Sequence, residues 1–170
     1  MKIVFDTNVI LSAYLTRGLA CTVFEHCLEE HEIIISTQIL AELESRLQQK
    51  LKISQERASA MLNLLSIACQ ISAISEVDPS SCRDQSDLHI LGLAHHSKAD
   101  IIVSGDDDLL SIRSFQGIPI LSPRRFWDME RKNDPNLLGR TEKGASKKIH
   151  DTNPEKYRAP LKKRGERTKE

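Results

Sequence analysis

The acidic residues of this chain stand where carboxylates can act together. Asp6 directly follows the apolar run Ile3-Val4-Phe5, and Glu42 comes shortly after Ile33-Ile34-Ile35. Asp84 and Asp87 open the stretch that leads into Leu88–Ala94, and Asp106, Asp107 and Asp108 follow Ile101-Ile102-Val103-Ser104-Gly105. An Asp placed straight after a buried strand loses hydration unless something there needs a carboxylate. Several carboxylates held close repel one another and resist ionising together. A divalent cation relieves that repulsion, and an all-oxygen set without His or Cys favours Mg2+ or Mn2+. Such an ion can activate water and stabilise the leaving oxygen of an in-line displacement at phosphorus.

Singly, several of these acids have ordinary structural roles. Asp84 reads as a helix N-cap with Asp87 at the third position of a capping-box-like start. Asp107 suits the first turn of a helix through the helix dipole. Glu42 precedes Leu43 of an apolar stripe and reads as a solvated helix residue. Asp6 is the hardest of them to explain in such terms.

The elements that must position these acids follow from periodicity. Lys2–Phe5, Glu32–Ile35, Cys69–Ile74, Ile101–Ser104 and Ile118–Leu121 read as short, apolar, non-alternating strands. Between them, helical spacing predicts helices over 8–15, 19–31, 37–51 (Leu40, Leu43, Leu47, Leu51), from Ser54 to about Ala68, 84–97, 107–113 and from Pro123 to about Glu130. Strands of this kind separated by helices predict a three-layer α/β/α sandwich with a central parallel sheet of about five strands. In such sheets ligands bind beyond the carboxyl ends of strands, at a topological switch point. If the first and fourth strands are neighbours there, Asp6 and Asp106 converge, and helices opening at the same edge add Glu42 and Asp87.

The 170 residues carry 24 basic and 24 acidic side chains, a balance that by itself speaks against a nucleic-acid partner. The charges are segregated, however: 11 Lys/Arg against 18 Asp/Glu in residues 1–130, and 13 against 6 in residues 131–170. The body is therefore acidic and the C-terminal stretch basic. That stretch, punctuated by Pro and Gly and poor in apolar residues, predicts a domain over 1–132 and a basic, disordered tail over 133–170. The four cysteines form no C-x-x-C pair and read as buried free thiols, and His95-His96 reads as surface or structural. The first residues lack the apolar run of a secretory leader, and no run is long enough to span a membrane, so a cytoplasmic location is expected.

Met1-Lys2-Ile3-Val4-Phe5-Asp6-Thr7-Asn8-Val9 resembles the opening of PIN-domain ribonucleases, a hydrophobic strand followed by D-[TS]-[NS]. Ile39-Leu40-Ala41-Glu42-Leu43 resembles their second acidic motif, Arg83–Ala94 with Asp84 and Asp87 the third, and Ile102-Val103-Ser104-Gly105-Asp106-Asp107-Asp108-Leu109-Leu110 the fourth. Gly117–Pro123 and Phe126 resemble the family's last strand and helix. Each motif is weak alone, but four in order over about residues 1–130 are specific. The arrangement is similar to the subgroup that forms the toxin half of bacterial toxin–antitoxin pairs.

The resemblance implies a Mg2+- or Mn2+-dependent endoribonuclease that hydrolyses RNA with metal-activated water. Asp6, Glu42, Asp87 and Asp106 would be its catalytic and metal-holding acids, with Asp84 and Asp108 as auxiliaries. Thr7, Asn8 and Ser104 would orient the acids or contact the phosphate. An antitoxin protein and a homodimer are the partners it implies besides RNA. The long basic tail departs from compact members of the family.

Two other readings compete. A non-catalytic RNA- or protein-binding module on a degenerate nuclease fold is opposed by the completeness of the acid set. A haloacid-dehalogenase-type phosphatase needs a second Asp two residues after the first, where this chain has Asn8. No G-x-x-x-x-G-K-[ST] loop is present to cradle a nucleotide.

Overall fold

The structure is a computed structural model and describes residues 1–134 and Leu137. Along the chain run β1 (Lys2–Phe5), α1 (Thr7–Leu15), α2 (Leu19–Glu30), β2 (Glu32–Ile35), α3 (Thr37–Ser45), α4 (Gln55–Ala68) and β3 (Gln70–Ile71). They are followed by α5 (Leu88–Ser97), β4 (Ile101–Val103), α6 (Asp107–Ile112), β5 (Ser114–Phe115), β6 (Ile118–Leu121) and α7 (Pro123–Asn133).

The sheet order is β3-β2-β1-β4-β6-β5. All pairings are parallel except that of β5 with β6. Ile3, Val4 and Phe5, Ile33 to Ile35 and Ile101 to Val103 are buried on both faces, as a parallel sheet covered by helices requires. α5 packs on β1 and β2, and α2 packs on β2 and α7. The chain leaves β1 for β2 on one side and later returns to its other side with β4, so the crevice between β1 and β4 is the switch point. Phe5 is in register with Val103 there, which aligns Asp6 with Ser104.

Six strands stand where about five are expected. The additional one, β5, is a two-residue antiparallel strand turned back onto β6 through Gln116 (φ 47°) and Gly117 (φ 84°). Both central residues lie in the left-handed region that such tight hairpins use. β3 is shorter than the expected 69–74. Only Gln70 and Ile71 pair with β2, and both are exposed at the sheet's edge.

The long helix expected over 37–51 ends as α-helix at Ser45 and continues as a π-turn over Arg46–Lys50, closed by the Leu51 amide donating to the Arg46 carbonyl. The wider turn carries Leu51 out of the stripe: Leu43 and Leu47 are buried and Leu51 is exposed. The helix expected from Asp84 begins as a 3-10 turn, Gln85–Asp87, and becomes α5 only at Leu88.

α7 reaches Asn133, and Leu137 is buried against the core. Apart from Asn133, Asp134 and Leu137, the basic tail expected over 133–170 lies outside the described residues. All four cysteines are free and buried. Burial pushes the Cys69 thiol up to about 12 and is the main cause holding that of Cys21 at about 11, which makes both poor nucleophiles. Among the described residues no helix is long and apolar enough to cross a membrane.

Candidate active site

Asp6 ends β1 and caps α1. It is 3% exposed. Its Oδ1 accepts the Asn8 amide at 3.1 Å, and its Oδ2 accepts the Ser104 hydroxyl at 2.9 Å. The Asp6 amide donates to Val103 O at 2.9 Å, which ties the end of β1 to the end of β4. Burial raises the Asp6 carboxyl above its ordinary range. The two hydrogen bonds offset part of that rise, while the charges of Asp106 and Glu42 add to it.

Ser104 links two acids. Its Oγ donates to Asp6 and accepts the backbone N–H of Asp106 at 3.0 Å. Asp106 in turn caps α6, taking the Asp108 amide on Oδ1 at 2.7 Å. Asp108 faces Arg83, with Nη1 to Oδ1 at 3.7 Å, across a largely solvated pair. Asp107, also in the first turn of α6, is exposed.

Asp84 caps the 3-10 turn through the Ser86 amide at 2.9 Å and is exposed, so its ordinary capping role is observed. Asp87 makes no reciprocal capping bond. Its carboxyl is pushed up to about 6, first by burial and then by the charges of Asp106, Asp6 and Asp84.

Glu42 is not the solvated helix residue its position suggests. Its Oε2 accepts the Thr7 hydroxyl at 2.7 Å, and its Oε1 is paired with Arg46, one helical turn further on. His89 Nε2 stands 3.4 Å from the same carboxylate. The contact with His89 is the largest cause holding Glu42 down at about 2; Thr7 and Arg46 add to it, and burial opposes it. His89 Nδ1 donates to Ser86 O at 2.6 Å. Burial alone would lower the imidazole, but the Glu42 carboxylate and the Ser86 carbonyl outweigh it and the net shift is upward. Arg46 also reaches the side-chain oxygen of Asn8.

The structure thus brings Asp6, Asp87, Asp106 and Glu42 to one edge of the sheet, close enough to act on one another electrostatically. Thr7, Asn8 and Ser104 sit among them as orienting groups. Asp84 and Asp108 stand at the rim. Arg46 and His89 belong to the same network and are not legible as such in the sequence. Arg46 carries one signal, its i,i+4 spacing from Glu42, whereas His89 arrives through the packing of α5.

The positive groups are unevenly shared. Arg46 and His89 serve Glu42, and Arg83 serves Asp108. Asp6 and Asp87 are left with carboxyls raised first by burial, then by Asp106 in both cases, and in that of Asp87 by Asp6 as well. A set of repelling oxygens, relieved in part at Asp87 by the charge of His89, fits a hard divalent ion. The four acids do not close into a tight trio. Among the described residues, the group whose ligand atoms lie within 4.8 Å of one another is His26, His31 and Glu130, elsewhere in the fold.

The fold is thus a mostly parallel α/β/α sandwich with carboxylates gathered at its switch point. The family model described as the PIN domain matches residues 2–108, and this chain belongs to that family. The fold is similar to that of a chain in the crystal structure of VapBC2 from Rickettsia felis bound to a DNA fragment from their promoter. The identity is 18% and the TM-score 0.52, over 72% of this chain and 98% of that one. No curated protein sequence matches the chain.

Proposed function

We propose that this protein is a metal-dependent endoribonuclease and the toxin half of a toxin–antitoxin pair. The observation that carries the first part is the convergence of Asp6, Asp87 and Asp106, two of them with raised carboxyls, at the β1–β4 switch point. A Mg2+ or Mn2+ ion held there, with Glu42 at its edge, would supply positive charge against the phosphate and Lewis acidity toward water.

The chain's own groups do the rest. Ser104 and the Asn8 amide fix the rotamer of Asp6. Thr7, Arg46 and His89 keep Glu42 ionised and aimed. One carboxylate of the set takes the proton of the attacking water, and the phosphodiester opens in line to a 5′-phosphate and a 3′-hydroxyl. The basic stretch 131–170, with 13 Lys/Arg against 6 acids, adds a salt-sensitive attraction for the RNA backbone. The toxin role and an antitoxin partner rest on the fold's likeness to a chain of a VapBC complex.

The test is RNA cleavage by the purified full chain with Mg2+ or Mn2+, compared with Asp6→Asn. Asp6→Asn is expected to lose at least about a hundredfold in rate, a barrier increase of roughly 2.7 kcal/mol. Equal cleavage by the two proteins overturns the site. Absence of cleavage by both, with no divalent-ion binding, favours a non-catalytic binding module.

A further inference from the structure

At the opposite end of the sheet a second cluster holds ligand-type side chains that the nuclease reading does not use. His26 lies on α2, His31 immediately precedes β2, and Glu130 lies on α7. His26 Nε2 is 2.9 Å and His31 Nε2 is 2.7 Å from the same oxygen, Glu130 Oε2. The side chains are 4%, 11% and 9% exposed, respectively. Phe126 and Trp127 stand edge-on to the two imidazoles, with ring centroids 6.2 Å and 5.5 Å away, so the cluster sits in an apolar wall.

One carboxylate oxygen shared by two ring nitrogens is an unusual use of three buried polar groups. The Nδ1 atoms of both rings are buried and have no partner among the described residues. Without an ion, the Glu130 carboxylate, which can only accept, holds the proton of each ring on Nε2, and a bound cation would take the place of those protons. Such a cation would meet both Nε2 atoms and the Glu130 carboxylate together, since their ligand atoms all lie within 4.8 Å of one another. The separations suit this: ligands about 2.0–2.2 Å from a tetrahedral zinc lie roughly 3.3 Å apart, and here they start at 2.7–2.9 Å. A widening of about half an ångström would admit the ion.

We propose that His26, His31 and Glu130 form a binding site for a zinc-class divalent cation, which fastens α7 to α2 and to the start of β2. Two imidazoles and one carboxylate are a donor set of the borderline transition metals, unlike the all-carboxylate set beyond β1 and β4. The slight exposure of His31 marks the side from which the ion enters and where a fourth ligand, water, completes the coordination. The site is independent of the nuclease reading. The two lie at opposite ends of the strands: Asp6 follows β1, and His31 precedes β2.

The experiment uses the untagged full chain carrying Asp6→Asn and Asp106→Asn, which silences the acid cluster. After zinc loading and removal of free metal, metal analysis is expected to find one zinc per chain, lost in the same background on adding His31→Gln or Glu130→Gln. Co2+ loading is expected to give the intense visible absorption of a four-coordinate site, which reports on the parent chain even if a variant fails to fold. Zinc retention unchanged by His31→Gln in a folded chain overturns the proposal. So does a parent chain that retains no zinc and shows only the pale spectrum of six-coordinate Co2+, which would leave a hydrogen-bonded cluster without metal affinity.

Discussion

Ser104 Oγ donates to Asp6 Oδ2 at 2.9 Å while accepting the amide of Asp106 at 3.0 Å, so one buried hydroxyl fixes the acids at the ends of two neighbouring strands. Ser104 is fully buried. No water can take over its bonds without a cavity, and losing both leaves a carboxylate oxygen and an N–H without their partner. Ser104→Ala is expected to cost about 1–3 kcal/mol of stability and to lower RNA cleavage more than substrate binding, because Asp6 loses its orientation. Denaturant melts and a kcat-against-KM comparison check this; unchanged kcat with unchanged stability would refute it.

The second prediction concerns pH in the metal-free protein. The Asp87 carboxyl rises from an ordinary 3.8 to about 6, first through burial and then through Asp106, Asp6 and Asp84. Between those values the folded chain binds more protons than the unfolded one, so stability falls as pH rises through the window. Above about pH 6 the full penalty is present, and below about pH 4 it is gone. In chelator, Asp87→Asn is therefore expected to melt higher than the parent at pH 7.5, with the gap closing toward pH 4. Because the site is partly open to solvent, the gap is smaller than the shift alone implies. Excess Mg2+ is expected to narrow the gap at pH 7.5 by stabilising the parent only. A gap that persists unchanged at pH 4 would contradict this.

Much of this arrangement is legible in the sequence. The runs Ile3-Val4-Phe5, Ile33-Ile34-Ile35 and Ile101-Ile102-Val103 have no polar face, which implies central parallel strands. The acids after them then fall at the carboxyl edge by construction. What is not legible depends on contacts made at a distance. β5 rests on a Gln116-Gly117 turn whose first residue gives little sign of a positive φ. The π-turn at Arg46–Lys50 leaves the leucine spacing intact in sequence while removing Leu51 from the core. His89 joins Glu42 from another helix, and Glu130 meets His26 across 104 residues.

A third prediction separates orientation from stability. Arg46 pairs with Glu42 and reaches the Asn8 side chain, but both partners in the ion pair are more than a quarter exposed. Such pairs contribute at most about 1 kcal/mol to folding. The same contacts hold Glu42 against Thr7 and the first turn of α1. Arg46→Gln is expected to lower the melting temperature by no more than about 4 °C and to reduce cleavage about tenfold through misplacement of Glu42. Equal activity in the variant would show that Thr7 and His89 suffice to place it.

The last prediction compares two glycines near the site. Gly92 lies inside α5, where alanine is intrinsically favoured by about 1 kcal/mol. A Cβ there would come within 2.3 Å of Ser75 O and 2.7 Å of Ile74 Cγ2. The first of these is backbone and is fixed by the Ser75 amide donating back to Gly92 O at 3.2 Å. Helix and strap cannot both stay in place, so Gly92→Ala is expected to destabilise by about 1–3 kcal/mol, outweighing the helical gain. Gly105, between Ser104 and Asp106, is the opposite case. The nearest atom to an added Cβ is Val9 Cγ2 at 3.9 Å, and its φ is not in the left-handed region. Gly105→Ala is expected to gain about 0.4–1 kcal/mol by restricting the unfolded chain. Urea unfolding of both variants decides the matter. If the two shift in the same direction, the close approach of α5 to Ser75 is not what excludes a side chain at Gly92.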